Sequence, residues 1–144
     1  MHSMLTREPL SAESLKAEKK FPECGGICIF EGVVRNHHEG RDVTSLIYEA
    51  YEPMAEQELH RLVKRIEDKY PECHVSAKHR LGHLQIGDVA VAIVVWAPHR
   101  HESFLACESM IDQLKKCVPI WKKEFYTNGQ NAWVVCQHSH GSHL

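Results

Sequence analysis

Two pairs of lysines lie near the C-terminal end of the chain, in the segment LKKCVPIWKKEFY that covers residues 114–126. Lys115 and Lys116 precede a proline, and Lys122 and Lys123 follow it. Four cations among apolar residues suit either a solvated surface or one wall of an anion-binding site. The helix dipole favours basic side chains in a last turn, so the first pair alone indicates no function. The second pair alternates faces on a predicted strand, so one of its lysines points inward or along an edge.

Three more basic side chains, His99, Arg100 and His101, stand at the predicted start of a helix. Cations there oppose the helix dipole, whereas the free backbone N–H groups favour an anion. A negative ligand or partner would remove this conflict, so we favour a functional role over a solvated first turn. Arg35 ends a predicted strand, and its guanidinium suits a phosphate; a functional role and a simple strand-end role are equally open for it.

Composition limits the classes of protein to consider. The chain has 144 residues, a formal net charge of −2 and 43% hydrophobic residues, which is typical of one globular domain. This charge gives no general attraction to nucleic acid or to anionic membranes. The longest apolar run, Val89–Ala97, is too short to span a bilayer, and no signal peptide is recognisable. We therefore expect a cytoplasmic protein.

The six cysteines have no paired spacing, and without a secretory signal we expect reduced thiols. Cys24 and Cys28 are separated by three residues, but no second pair of ligands follows them. A zinc site there is therefore not expected, and Cys28 is interpreted as a small core residue. No Ser-His-Asp set, Gly-rich phosphate loop or H-E-x-x-H motif is recognisable, so the residues alone indicate a local anion site of Arg, His and Lys.

Helical periodicity, β-branched runs and turn residues predict three successive groups of one helix followed by two strands. The predicted ranges are helix 11–20, strands Gly25–Arg35 and Val43–Tyr51, helix 53–70, strands His74–Gly82 and Val89–Ala97, helix 98–118, and strands 120–126 and Ala132–Cys136.

The fourth predicted strand, Val89–Ala97, is apolar on both faces and should lie at the centre of a sheet that is covered on each side. The order of elements indicates an α+β protein with helices packed on a largely antiparallel sheet. We expect residues 1–137 to form a single domain and residues 138–144 to form a flexible His-rich tail.

Several motifs occur together in a characteristic order: VRNH, YEAYEPMAE, HRLG, a His-Arg pair and LKxxxPxWKKE. From about Cys24 to Val134 the chain resembles the large, catalytic subunit of molybdopterin synthase. The resemblance implies an α/β-hammerhead fold. It also implies a sulfurtransferase that converts cyclic pyranopterin monophosphate into molybdopterin by inserting two sulfurs as a dithiolene.

The resemblance also implies partners. The sulfur donor would be the thiocarboxylate on the C-terminal glycine of a small ubiquitin-like subunit, whose Gly-Gly tail enters the site of the large subunit. Two large subunits would form a homodimer with one small subunit at each end, a heterotetramer. Neither a metal nor a cofactor is expected, and no cysteine of this chain need carry the sulfur.

By position, the essential lysines of the family fall on Lys115 and Lys122. The positions that contact substrate fall on Val33, Val34, Arg35, His99, Arg100, Lys123 and Glu124. As hypotheses, the arginines and His99 hold the cyclic phosphate, Lys115 assists sulfur attack and loss of oxygen, and Lys122 stabilises developing negative charge or the partner's carboxyl group. A rival interpretation is a non-enzymatic docking module that binds the C-terminal tail of a ubiquitin-like protein.

Overall fold

The structure is a computed structural model, and it describes residues 3–134. The predicted tail at 138–144 and the end of the last predicted strand at Cys136 lie outside the described residues. In chain order the elements are β1 Leu5–Thr6, α1 Ala12–Ala17, β2 Gly26–Val33, β3 His37–His38, β4 Arg41–Ala50, α2 Glu52–Lys69, β5 His74–Arg80, β6 Gly82–Gln85, β7 Val89–Ala97, α3 Arg100–Cys117, β8 Ile120–Tyr126 and β9 Asn131–Val134.

The first sheet has the strand order β1-β5-β7-β2, and β7 lies inside it with β5 and β2 as antiparallel neighbours. Alternate residues of β7 face opposite ways. Ile93 and its neighbours on that face pack with α2 and α3 in the main core, whereas Val94 and its neighbours pack with α1. The strand is buried along nearly its whole length. The predicted position of this strand, central and covered on both faces, is therefore confirmed.

The second sheet has the order β3-β4-β8-β9, and β6 pairs with the other edge of β4. All its pairs are antiparallel, and the one parallel pair among the described strands joins β1 to β5. The β4–β8 ladder aligns Tyr48 with Lys122 and Leu46 with Glu124. The predicted α+β class, with largely antiparallel sheets and packed helices, is confirmed.

The helix ends follow local sequence signals. Ser11 caps α1, accepting a hydrogen bond of 3.1 Å from the backbone N–H of Ser14. Pro53 lies in the first turn of α2, where its missing N–H costs nothing. Val118 after α3 is extended, as the residue before Pro119 must be. These helices therefore begin and end close to their predicted positions, although α1 ends at Ala17 rather than at residue 20.

Three short strands were not predicted: β1, β3 and β6. The predicted strand His74–Gly82 is in fact two elements, because the chain leaves the first sheet after Arg80 and enters the second sheet at Gly82. Gly82 has a φ of +94°, a conformation that glycine adopts without steric cost. The loop predicted over 36–42 contains β3, and β4 begins inside it at Arg41. No helix among residues 3–134 is long and apolar enough to cross a membrane.

Candidate active site

Strand β8 presents Lys122, Glu124 and Tyr126 on one face, since alternate residues of a strand share a face. Lys122 Nζ lies 3.2 Å from Glu124 Oε2, and its side chain is partly exposed. Lys123 points to the opposite face, where its Nζ lies 5.6 Å from the ring centres of Phe125 and Trp133. Of the two adjacent lysines, only Lys122 is therefore held by a buried acidic side chain.

Glu124 is 2% exposed and has three partners. His38 Nδ1 lies 2.9 Å from its Oε1, the Tyr126 hydroxyl donates to the same oxygen at 2.9 Å, and Lys122 contacts Oε2. Burial raises the pKa of the Glu124 carboxyl. The hydrogen bond from His38, the charge of Lys122 and the hydrogen bond from Tyr126 outweigh burial, so the pKa lies below its ordinary value of 4.5. The buried carboxylate is thus ionised at neutral pH and fixes the position of the Lys122 ammonium.

The segment that contains Arg35 runs along the same side of the second sheet. Val34 is buried and packs with Leu46 and Leu84, and Leu46 lies directly opposite Glu124 in the β4–β8 ladder. The backbone of Val34 is also fixed, because its N–H donates to the Asp88 carbonyl at 2.9 Å. On the far side of Arg35 the chain reaches His38, which contacts Glu124. Arg35 is exposed and lies in the chain between Val34 and His38, which are both held beside the Lys122–Glu124 pair.

Lys115 lies in the last turn of α3, is exposed, and is followed by the end of the helix at Cys117. The turn that follows is fixed by the Pro119 carbonyl, which accepts a hydrogen bond from the backbone N–H of Tyr51. Strand β8 then begins at Ile120. Lys115 thus belongs to the end of α3 that leads directly into the strand bearing Lys122.

His99 and Arg100 lie at the other end of α3. His99 is the N-cap residue without a side-chain capping bond, and both residues are exposed. The glycines before β2 permit close packing there, since a Cβ on Gly25 would lie 3.1 Å from the Pro98 carbonyl oxygen. At 1.5 Å per residue, Arg100 and Lys115 are separated by about 22 Å along the helix. Within one chain, their side chains cannot reach a common group.

The structure therefore divides the predicted site residues into two groups. One group comprises Val33 at the end of β2 with Val34 and Arg35 after it, Lys115 at the end of α3, Lys122 and Glu124 on one face of β8, and Lys123 on its other face. The other group is the pair His99 and Arg100 at the start of α3. Glu124, predicted to contact substrate, lies beneath Lys122, and Val34 is buried, whereas Val33 is 50% exposed.

Two residues of this site, His38 and Tyr126, were not identified from the sequence. Tyr126 follows the alternation of Lys122 and Glu124 along β8, so the strand pattern alone places it on their face. Arg41 lies over the Tyr126 ring, with its Cζ 3.8 Å from the ring centre, and also donates to Gln130 Oε1 at 2.7 Å. No comparable sequence signal exists for His38, because its contact with Glu124 joins residues 86 positions apart.

A lysine held by a buried carboxylate on an α+β fold suits the binding of an anionic group. A family model described as "MoaE protein" matches residues 5–117. The chain is 51% identical over 130 residues to molybdopterin synthase catalytic subunit 1 of Mycobacterium tuberculosis, covering 90% of this chain and 88% of the relative. It belongs to the MoaE family.

Other relatives agree. The molybdopterin synthase catalytic subunit of Bacillus subtilis is 41% identical over 132 residues, covering 90% of this chain and 82% of the relative. A crystal structure of molybdopterin synthase from Staphylococcus aureus superposes with a TM-score of 0.86 at 37% identity, covering 92% of this chain and 96% of that one. A 21% identical chain from Helicobacter pylori, in a complex of subunits 1 and 2 of molybdopterin-converting factor, has the same fold, with a TM-score of 0.73 and coverage of 90% and 88%. The fold implied by the resemblance is thereby confirmed.

Proposed function

We propose that this protein is the catalytic subunit of a molybdopterin synthase, a cytoplasmic sulfurtransferase. It would transfer sulfur from the C-terminal thiocarboxylate of a small ubiquitin-like subunit to cyclic pyranopterin monophosphate and so form the molybdopterin dithiolene. The observation that carries the proposal is the Lys122 ammonium held at 3.2 Å by the buried Glu124 carboxylate. The segment that contains Arg35 runs beside this pair. The relatives described above are named molybdopterin synthase catalytic subunits.

The residue types suit this chemistry. Arg35 and Arg100 carry the planar guanidinium that binds phosphate through two hydrogen bonds, and His99 adds a further donor. Lys122, fixed by Glu124, supplies a preorganised positive charge where negative charge develops during sulfur transfer. Lys115 is exposed in the last turn of α3, which leads into β8, and we assign it the proton transfer that accompanies loss of the substrate oxygen.

A homodimer would bring the two groups of site residues together. Strand β2 is an edge strand that pairs only with β7 among the described strands, and it exposes Ile27, Ile29 and Phe30. Phe104, on the adjacent helix α3, is 61% exposed. An open edge with apolar side chains is a typical surface for association with a second copy. We propose that two copies of β2 meet there around a two-fold axis.

The direction of the strands then determines which residues meet. The start of β2 packs against Arg100, and its end leads into Val34 and Arg35. In an antiparallel two-fold arrangement, the start of one β2 lies beside the end of the other. Each site would then combine Arg35, Lys115 and Lys122 of one copy with His99 and Arg100 of its partner. One small subunit at each of the two sites gives the heterotetramer.

The activity is tested by mixing the purified chain with precursor and thiocarboxylated small subunit and detecting the dithiolene product by mass. Lys115→Ala should abolish conversion while the fold and the binding of the small subunit persist. Lys116→Ala is the matched control on the same exposed turn and should retain activity. Full activity of Lys115→Ala would refute the assignment of that lysine.

The rival function, a docking module for the tail of a ubiquitin-like protein, makes a different prediction for the same mixture. It requires binding of the small subunit without turnover by the unaltered chain. Capture of a single carboxylate needs one cation, whereas this chain has separate cationic groups at both ends of α3. That arrangement favours the enzyme.

A further inference from the structure

Two segments of the chain share the pattern aromatic-Pro-Glu-Cys: residues 21–24 read FPEC and residues 70–73 read YPEC. Both fold in the same way. The backbone N–H of Cys24 donates to the Phe21 carbonyl at 3.0 Å, and that of Cys73 donates to the Tyr70 carbonyl at 2.8 Å. The first turn leads towards β2 and the second leads directly into β5 at His74. Two similar turns thus bring carboxylates, thiols and an imidazole to one region.

Three of these side chains converge on one point. Single ligand atoms of Glu23, Cys24 and His74 all lie within 4.8 Å of one another, and His74 Nε2 is 3.1 Å from Glu23 Oε2. Tetrahedral zinc, with bonds of about 2.0–2.3 Å, holds its ligand atoms about 3.3–3.8 Å apart. Small side-chain adjustments would therefore close these three atoms around an ion. Thiolate, imidazole and carboxylate are also the ligand types that zinc accepts.

One ligand is held in place by its surroundings, and another borders an open cavity. The Phe21 ring stacks on the His74 imidazole, with centres 3.8 Å apart and an angle of 6°, which fixes the orientation of the ligand. Cys24 lines an open cavity of about 670 Å³, whose wall also includes Glu13 and the lysines at 16, 19 and 20.

We propose that Glu23, Cys24 and His74 form a binding site for one zinc ion, with water or the Glu72 carboxylate as the fourth ligand. Binding would release the proton of the Cys24 thiol to solvent, while a neutral His74 would bind through Nε2 and keep its ring proton on Nδ1. The ion would tie the segment before β2 to the start of β5. This role is structural, since these residues lie with the first sheet and the lysine site lies on the second. The site does not depend on the proposed function.

The ligand set differs from the Cys24–Cys28 pair considered in the sequence. The thiol of Cys28 instead interacts with that of Cys107 on α3. The pKa of the Cys107 thiol is raised to about 12, mainly by burial and further by this contact. Cys28 is accordingly packed against the main core, as predicted. Cys24 and His74 are 50 residues apart in the chain, far more than the short spacing within a pair of ligands in the common zinc motifs.

The site is tested on the full chain by titration with Co²⁺, whose thiolate complexes absorb in the near ultraviolet through sulfur-to-metal charge transfer. This readout requires a cysteine ligand, so the histidines of the tail do not produce it alone. The unaltered chain should show the band, and Zn²⁺ should displace the cobalt. Cys24→Ser should remove the band, and His74→Ala should lower the affinity for Co²⁺ roughly 100-fold.

Two matched variants serve as controls. Cys117→Ser removes an exposed thiol elsewhere, and Cys136→Ser removes the thiol closest in sequence to the tail histidines. Both should retain the band. The proposal is overturned if the unaltered chain shows no charge-transfer band, or if Cys24→Ser retains it. Circular dichroism of the Cys24→Ser variant without metal checks that loss of the band does not reflect loss of the fold.

Discussion

His38 Nδ1 lies 2.9 Å from Glu124 Oε1, a contact between a two-residue strand and the buried face of β8. The same carboxylate contacts Lys122 through its other oxygen. His38 therefore influences Lys122 without contacting it: it holds the carboxylate that holds the ammonium. We regard His38 and Glu124 as positioning residues for the lysine.

Replacement of Glu124 should affect stability in a pH-dependent way. Glu124→Gln removes a buried charge that accepts from three partners, and we expect a loss of about 2 kcal/mol in the free energy of unfolding near neutral pH. The pKa of Glu124 is lowered in the folded protein, so its stabilising contribution is present above 4.5 and is lost as pH falls through the folded value. Urea unfolding of both proteins across this range should show the difference shrinking below pH 4.5. If the two proteins differed in free energy of unfolding by the same amount at every pH, Glu124 would not be ionised in the folded protein as assigned.

Removal of the His38 imidazole should reduce activity more than binding. His38→Ala leaves Glu124 free to shift, so Lys122 loses its fixed position, and we expect kcat to fall about 10-fold or more while the affinity for the small subunit is unchanged. His37→Ala, at the exposed neighbouring position of β3, is the matched control. Single-turnover formation of the dithiolene measures the effect. Equal rates for the two variants would show that His38 does not position the site.

A shared site predicts that two inactive variants can rescue each other. Arg100→Ala and Lys115→Ala should each be inactive alone. In an equal mixture that exchanges subunits, half of the dimers are hybrids, and each hybrid carries one intact site, so activity should return to about one quarter of the unaltered level. The rate of product formation after mixing measures this. If both residues acted within one chain, the mixture would stay inactive.

The edge of β2 should be necessary for association of the two copies. Ile29→Arg places a charge on this strand, where the side chain is 45% exposed, and should convert the dimer to a monomer. Ile86→Arg is the matched control, since Ile86 is similarly exposed at 41% but lies in the turn after β6. Light scattering coupled to size-exclusion chromatography gives the mass of each. A dimeric Ile29→Arg variant would place the interface elsewhere.

Long elements with strong periodicity were predictable because their local pattern and their tertiary environment agree. Val89–Ala97 is apolar at every position, and its burial on both faces follows from that alone. The short strands lack such a pattern. Leu5–Thr6 and His37–His38 hold two residues each and are strands only because a longer strand lies beside them. The change of sheet at Gly82 depends on tertiary pairing for the same reason.

The candidate site shows the same limit. The sequence predicts which of its residues are basic and that the dipole at His99 favours an anion. The predicted helix 98–118 already implies that Arg100 and Lys115 lie about 22 Å apart, but the sequence does not show which strands lie beside each end of that helix. Nor does the strand pattern reveal that His38 contacts Glu124, since that contact depends on the pairing of β3 within the second sheet.

The ladder between β4 and β8 has a consequence for the order in which the protein matures. Val43 pairs with Tyr126 and Ala50 with Ile120, so each contact spans at least 70 residues of chain. During synthesis β6 is available to β4 before β8, so the other side of β4 stays unpaired until Ile120–Tyr126 has left the ribosome. Contacts of such long range form slowly. We expect the first sheet and its helices to form earlier, and the Lys122–Glu124 pair to be the last part of the single chain to fold.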